Sequence, residues 1–335
     1  MIVTVTANPA IDKTLALPHN LARGEVQRLT GSESQAGGKG INVSRALRAS
    51  KLQNLAVFPA SAHDDFTHLV EAEGLQMHPV RIEGKVRTNF AITETDGTTT
   101  KLNEPGPHLT ADEAAALVSA VVAASRDAEW LVLAGSLPLG LDSSYYATLI
   151  DAVRSELGDA APRVAVDSSD APLEALLASG TRIQLIKPNA FELAELSGIA
   201  DGDTLEADPQ LAADAAAWAL EHGADAVLAT LGGAGAIYRD ATTSLFATPP
   251  PTRVRSTVGA GDSSLAGYLL ASVTGATPER ALAQAVAHGS AAASLPGSGV
   301  PSPEQTQPDL VRITHLAITG APSNNPATST KENAS

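Results

Sequence analysis

Short runs of apolar residues alternate with longer segments of helical periodicity along most of the chain. The predicted strands are 3–6, 55–59, 130–134, 163–167, 183–187 and 226–230, and the predicted helices are 43–49, 111–125, 145–157, 173–179, 191–197, 209–222, 265–273 and 278–295. This alternation predicts parallel βαβ units in an α/β fold, with helices on both faces of the sheet. Polar and glycine-bearing motifs recur where the strands end, and open α/β sheets bind their ligands at that edge.

Two segments depart from this alternation and show the pattern of antiparallel strands. One comprises 13–18 with 24–33, and the other is 85–103, which contains the hairpin dipeptide Asp96-Gly97. We expect them to form a small β-sheet, over about 12–35 and 85–104, that covers the ligand cleft as a lid or contacts a second copy of the chain. One domain of residues 1–320 is expected. Residues 321–335 lack apolar periodicity, so we expect a disordered tail.

The composition narrows the range of partners. The chain has 335 residues, is 44% hydrophobic, contains no cysteine and carries a formal net charge of −15. This charge argues against nucleic acid or an anionic membrane as a partner, and an anionic substrate would need a local basic cluster. The N-terminus lacks the basic region and the long apolar core of a signal peptide, and no stretch of about 18 apolar residues occurs. We therefore expect a cytoplasmic protein.

The segment Ser256-Thr-Val-Gly-Ala-Gly-Asp262 carries the clearest chemistry. Its glycines allow a sharp turn into a helix, whose first N–H groups and partial positive charge favour a phosphate. An adjacent carboxylate would then serve as a base for an acceptor hydroxyl. The alternative is an ordinary helix cap, with Asp262 accepting hydrogen bonds from its own helix. The motif alone does not decide between the two.

Six motifs in one order resemble the ribokinase-like (PfkB) carbohydrate kinases, over residues 1 to about 300. They are Thr6-Ala-Asn-Pro-Ala-Ile-Asp12, Ala36-Gly-Gly-Lys-Gly-Ile-Asn-Val43, Asn103-Glu-Pro-Gly-Pro107, Gly135-Ser-Leu-Pro138, Lys187-Pro-Asn-Ala-Phe-Glu192 and the segment that ends at Asp262. The likeness is closest to the branch that acts on phosphorylated ketoses. It implies a three-layer α/β/α fold, ATP and Mg²⁺ as partners, and phosphorylation of fructose 1-phosphate at its 6-hydroxyl.

The resemblance also implies roles for individual residues. Asp262 would be the base, the amides of Gly259, Ala260 and Gly261 would hold the transferred phosphoryl group, and Lys187 would assist. The expected sugar-phosphate site comprises Asp12, Gly37, Gly38, Lys39, Asn42, Arg28, Arg87, Asn89 and Ser136. The expected ATP site comprises Lys187, Asn189, Thr230, Gly232, Gly233, Gly235 and Gly261, with Asn189 and Glu192 organising Mg²⁺ through water.

Simpler interpretations exist for several of these residues. Arginines on strands are usually solvated, Asp12 could cap a turn, and Glu192 could serve only the first turn of its helix. The stretch Thr230-Leu-Gly-Gly-Ala-Gly235 does not have the Gly-x-Gly-x-x-Gly spacing of a dinucleotide fold, which disfavours an NAD-dependent oxidoreductase. A kinase of tagatose 6-phosphate or fructose 6-phosphate, or a non-catalytic sugar-phosphate sensor, remains open.

One position departs from the family pattern. Asp170 stands where relatives usually have glycine. Because aspartate tolerates left-handed backbone geometry better than most residues, we expect the turn to survive. Its extra negative charge near the phosphates is expected to weaken nucleotide binding.

Overall fold

The computed structural model describes residues 1–319, and the expected tail at 321–335 lies outside them. The strands are β1 (Ile2–Val5), β2 (Ala10–Ala16), β3 (Gly31–Gly37), β4 (Asn54–Ala60), β5 (Met77–Arg81), β6 (Arg87–Thr93), β7 (Thr99–Asn103), β8 (Trp130–Ala134), β9 (Arg163–Asp167), β10 (Leu185–Ile186), β11 (Ala226–Leu231), β12 (Gly235–Asp240), β13 (Ser244–Thr248) and β14 (Arg312–His315). The helices are α1 (Lys39–Ala49), α2 (Asp65–Ala72), α3 (Ala111–Ala124), α4 (Tyr145–Leu157), α5 (Asp170–Ala178), α6 (Ala190–Ser197), α7 (Gly202–Ala207), α8 (Pro209–Glu221), α9 (Ala260–Ser272) and α10 (Pro278–Ala293).

The larger of two sheets within residues 1–319 has ten strands, in the order β14-β13-β12-β11-β10-β9-β8-β1-β4-β5. Neighbouring strands from β11 to β5 are parallel, while β12, β13 and β14 extend the sheet antiparallel. The predicted mainly parallel sheet is therefore confirmed. None of the helices within this part of the chain is long and apolar enough to cross a membrane.

Side chains of alternating direction along each parallel strand supply two separate cores. In β8, Leu131 and Leu133 pack into the core shared with α3, α4 and α8, whereas Trp130 and Val132 pack into the core shared with α1, α9 and α10. Both faces are apolar because both are covered by helices. This is the predicted three-layer α/β/α arrangement.

A separate four-stranded sheet has the order β3-β2-β6-β7. Its two antiparallel hairpins are joined by the parallel pair β2 and β6. A small second sheet is thus confirmed, but the prediction for its second strand was wrong. That strand is β3, not 24–33, because Gly24 has a φ of +83° and the side chain of Gln27 bonds the backbone of Ala22 and Asn20, which closes a loop instead.

Other predicted boundaries differ by a few residues from those in the structure. The strand predicted over 183–187 is reduced to β10, with Ile183 in an isolated bridge to Ala224. Helix α9 begins at Ala260, five residues before the predicted start, so the Gly-Ala-Gly turn forms its first turn. Asp170 has a φ of 54°, so it adopts the left-handed geometry that was expected of it.

Candidate active site

A cavity of about 770 Å³ lies at the carboxyl ends of β9, β10 and β11, beside the N-terminus of α9. This is the edge at which the sequence predicts ligand binding. Predicted residues that line it are Lys39, Lys187, Asn189, Glu192, Thr230, Gly232, Gly233, Gly235, Gly259, Ala260, Gly261 and Asp262. The structure therefore gathers the whole expected ATP site, the expected base and one residue of the expected sugar site around one space.

Asp262 lies in the first turn of α9, is 7% exposed and faces the cavity. Its Oδ2 accepts a hydrogen bond from Asn42 Nδ2 over 2.8 Å. Among the residues described, no amide of α9 donates to this carboxylate, and the helix has no side-chain cap. The helix-cap interpretation of Asp262 is thus not what the structure shows.

Burial, followed by the negative charge of Asp167, raises the pKa of Asp262 to about 6. The hydrogen bond from Asn42 and the ammonium groups of Lys187 and Lys39 act in the opposite direction. A carboxylate with this pKa is ionised at neutral pH and is more basic than an ordinary aspartate. These are the properties of a general base.

The turn before α9 presents backbone amides to the same space. Gly259 has a φ of 75°, a left-handed geometry that favours glycine. Within residues 1–319 the amides of Gly259 and Gly261 have no hydrogen-bond partner, while that of Ala260 donates to the carbonyl of Thr257 over 3.3 Å. Two of the three amides expected to hold the phosphoryl group are therefore available for an anion.

A buried carboxylate that the sequence analysis did not assign joins two predicted lysines. Asp167, the last residue of β9, lies 2.8 Å from Lys39 Nζ and 3.1 Å from Lys187 Nζ. Burial acts to raise the pKa of Asp167, but the two ammonium groups outweigh it and the pKa lies below the usual value. Lys39 also lies 3.8 Å from Glu192, so it faces the acidic groups of the cavity.

The expected sugar-binding residues of the small sheet lie outside the lining of this cavity. Asp12 and Asn89 are neighbours on β2 and β6, and Asn89 Nδ2 donates to Asp12 Oδ1 over 3.0 Å. A Cβ at Gly37 would overlap the Asp12 carboxylate, so a side chain at this position would displace that carboxylate. Asn42, another residue of the expected sugar site, has its Oδ1 occupied by a hydrogen bond from Arg45 Nη1.

Arg87 and Ser136 both form hydrogen bonds with Asn8, which lies between β1 and β2. Arg87 donates to the carbonyls of Glu104 and Asn8, and its buried Nε has no partner among the described residues. Ser136 Oγ accepts a hydrogen bond from Asn8 Nδ2 over 3.3 Å. Gly38, with a φ of 113°, is the N-cap of α1.

Arg28 does not lie on a strand, as was predicted, but is exposed in the loop before β3. Its part in the sugar site stays a prediction.

Asn189 and Glu192 form a reciprocal cap at the start of α6. The Asn189 side chain accepts from the amide of Glu192 over 2.9 Å, and Glu192 Oε2 accepts from the amide of Asn189 over 2.8 Å. Within residues 1–319 no group of three histidine, aspartate or glutamate side chains could bind a metal directly. Beyond Thr230, β12 follows β11 as an antiparallel strand, which differs from a dinucleotide-binding unit.

Sequence reasoning missed Asp167, Arg45 and Asn8 as members of this site. The available signal for Asp167 was the presence of two predicted site lysines, Lys39 and Lys187, for which no acidic partner had been assigned. Arg45 follows Asn42 by three residues, a spacing that places both on one face of a helix. Nothing in the sequence indicated that Asn8 would bond to Pro105, Ser136 and Leu137.

Comparisons with known proteins agree with this geometry. A family model described as "pfkB family carbohydrate kinase" matches residues 5–305. The 1-phosphofructokinase of Xanthomonas campestris is 35% identical, covering 82% of this chain and 85% of the relative. That of Haloferax volcanii is 33% identical and covers 95% and 98%, and the ATP-dependent 6-phosphofructokinase isozyme 2 of Escherichia coli is 32% identical and covers 91% and 96%.

A solved structure leads to the same family. Phosphofructokinase-2 from Escherichia coli in complex with fructose-6-phosphate has a TM-score of 0.80 and 30% identity, covering 91% of this chain and 96% of that one. The chain therefore belongs to the pfkB family of carbohydrate kinases and is a phosphotransferase that uses ATP.

Proposed function

We propose that this kinase phosphorylates fructose 1-phosphate at its 6-hydroxyl to give fructose 1,6-bisphosphate. Four curated relatives named 1-phosphofructokinase, at 32–35% identity over most of the chain, support this acceptor. The structural observation that carries the proposal is the Asp262 carboxylate, which faces the cavity and is free of its own helix.

Asp262 would accept the proton of the attacking hydroxyl. Its pKa of about 6 keeps it ionised at pH 7 and makes it a stronger base than an aspartate in water. The amides of Gly259 and Gly261, at the positive end of α9, would stabilise charge on the phosphoryl group in transit. Lys187 lies close enough to this turn that a Cβ at Gly261 would be 3.3 Å from its Nζ, so it would neutralise the same charge.

The residues at the start of α6 fit a Mg²⁺ ion held through water. Asn189 and Glu192 both line the cavity and offer oxygen atoms, but each is engaged in the helix cap. Mg²⁺ keeps most of its own water, so such residues suit contact through that water better than direct ligation. When bound, the ion would supply positive charge to the ATP phosphates.

The small sheet and the adjacent turns would bind the sugar phosphate. Asp12, with Asn89 and the bare backbone at Gly37, would receive the sugar hydroxyls, and Gly38 and Ser136 would border them. Arg87, whose buried Nε lacks a partner among the described residues, would bind the phosphate already present, and Arg28 would add a second positive charge from its loop. Lys39 would act between the two substrates, because Asp167 and Glu192 hold it there.

The sheet of β2, β3, β6 and β7 would serve as a lid on a single domain that comprises residues 1–320. A lid excludes water and so suppresses hydrolysis of ATP.

The loop and outer strand of the small sheet expose the apolar side chains Leu21, Val26, Leu29 and Leu102, and Val26 is 92% exposed. We further propose that this surface contacts a second copy of the chain; a tetrameric form is known for the Escherichia coli relative. The cytoplasmic location and the lack of nucleic-acid or membrane partners stay predictions from composition.

A second candidate acceptor is fructose 6-phosphate, which the similarity to the Escherichia coli isozyme favours, and tagatose 6-phosphate is a third. The purified protein with ATP and Mg²⁺ should be given each ketose phosphate in turn, and ADP formation should be measured. We expect the highest kcat/KM with fructose 1-phosphate. A higher value with either 6-phosphate would replace the proposed acceptor, and tight binding without turnover of any would favour a sensor.

A further inference from the structure

The guanidinium of Arg45, on α1, is held at several points. Its Nε and Nη2 donate to the two carboxylate oxygens of Glu73, just after α2, over 2.7 and 2.9 Å. Nη2 also donates to the carbonyl of Ala36, and Nη1 donates to Asn42 Oδ1 over 2.8 Å. The side chain is only 11% exposed, so these bonds are shielded from water. A paired, planar guanidinium of this kind has very little freedom to move.

This arrangement decides which way the Asn42 amide points. A guanidinium can only donate hydrogen bonds, so the amide atom that faces Arg45 must be the oxygen. The NH₂ group of Asn42 is therefore on the other side, where it donates to Asp262 Oδ2 over 2.8 Å. The reverse orientation would set NH₂ against the guanidinium and oxygen against the carboxylate, and both contacts would be repulsive.

We propose that Arg45 is a positioning residue for phosphoryl transfer: held by Glu73, it fixes the Asn42 amide so that its N–H group orients the Asp262 carboxylate. This inference rests on the proposed role of Asp262 as the base. Without Arg45 the amide can rotate, and the carboxylate loses the donor that orients it. Arg45 itself makes no hydrogen bond to Asp262; its bonds go to Glu73, Ala36 and Asn42.

The same chain of bonds affects protonation. The charged groups that face Asp262 are Asp167 at the end of β9, Lys187 after β10 and Lys39 at the start of α1. None of them contacts Arg45, whose bonds go to Glu73, Ala36 and Asn42. Loss of the N–H bond from Asn42 makes the ionised form of Asp262 less favourable, so the acid limb of the pH profile moves to higher pH.

A double-mutant cycle tests this coupling. Turnover of the wild type, Arg45→Met, Asn42→Ala and the double variant is measured with saturating ATP and sugar phosphate. We expect Arg45→Met to lower kcat by roughly ten- to a hundredfold and to move the acid limb upward by about one pH unit. In the Asn42→Ala background, the same replacement should have no further effect on kcat or on the acid limb.

Matched variants separate positioning from folding. Arg48→Met removes an exposed arginine from the same helix and should leave kcat and the pH profile unchanged. Arg45→Lys keeps one donor for Asn42 and should restore part of the lost turnover. If Arg45→Met does not fold, Glu73→Gln, which weakens the hold on the guanidinium, should shift kcat and the acid limb in the same direction. Equal losses in both backgrounds, or an unmoved acid limb, would overturn the proposal.

The variant Asp262→Asn, assayed beside these proteins, distinguishes the two levels of the argument. If it keeps near-normal turnover, the assignment of the base is wrong, whatever Arg45 does. If it is inactive while the effects of Arg45 and Asn42 are simply additive, the base stands and only the positioning role of Arg45 fails.

Discussion

Replacing Asp262 by asparagine should lower activity and raise stability at the same time. The side chains have the same shape, and the new amide oxygen can still accept the bond from Asn42. Only the negative charge and the basic site are lost. Loss of a general base typically costs roughly 10²–10⁴-fold in turnover, while ATP binding should be largely kept.

The gain in stability follows from the pKa. Folding shifts the pKa of Asp262 from 3.8 to about 6, so the ionised form is less favourable in the folded protein than in the unfolded chain. Two pH units correspond to about 3 kcal/mol. This penalty is absent below pH 3.8, grows as the pH rises through 6 and is complete at pH 7. The neutral variant avoids it and should be more stable than wild type by up to that amount at pH 7.

Two measurements test this prediction: thermal unfolding of the ligand-free proteins and an assay of turnover. Thermal unfolding at pH 7 should show a higher Tm for the variant, and the difference should shrink as the pH falls towards 4. A coupled ADP assay should show the loss of turnover, and the acid limb of wild-type kcat/KM should lie near pH 6. Asp159→Asn, which changes an exposed aspartate, is the control. Near-normal turnover in Asp262→Asn, or a lower Tm at pH 7, would refute the argument.

Three further predictions concern the small sheet and the Asp170 turn. Gly37→Ala should raise the KM for the sugar phosphate at least about tenfold, because its Cβ overlaps a carboxylate of the proposed sugar site; Gly31→Ala on the same strand, which meets no atom within 4 Å, should not. Asp170→Gly should stabilise the fold by roughly 0.5–1 kcal/mol by relieving the left-handed backbone and should lower the KM for ATP, whereas Asp170→Asn should do only the latter. Val26→Glu should shift the protein to smaller assemblies in analytical ultracentrifugation if the lid contacts a second copy, and an unchanged distribution would count against that contact.

The fold could be predicted from periodicity because parallel strands that are buried on both faces are continuously apolar, as β8 shows. The sites could be located because glycines and polar residues follow those strands. The direction of a side chain could not be predicted. The same motif permits Asp262 to cap α9 or to face the cavity, and only the position of Asn42, distant in sequence, settles which occurs.

The same limit explains the residues that were missed or misplaced. The pairing of Asp167 with Lys39 and Lys187 depends on three elements that meet only in the folded chain. Arg28 was placed on a strand because local alternation extends through 24–33. The side-chain bonds of Gln27 close a loop there instead, and such bonds leave no periodic signal.

The parallel pairing of β2 with β6 has a consequence for motion. Because this ladder joins the two hairpins, the proposed lid would move as one four-stranded unit rather than as two independent hairpins. Gly38 and Gly106, with φ values of 113° and 101°, lie just after β3 and β7, where a backbone without a Cβ rotates most easily. If the sheet moves as the proposed lid, amide exchange should be slow within its strands and faster at Gly38 and Gly106.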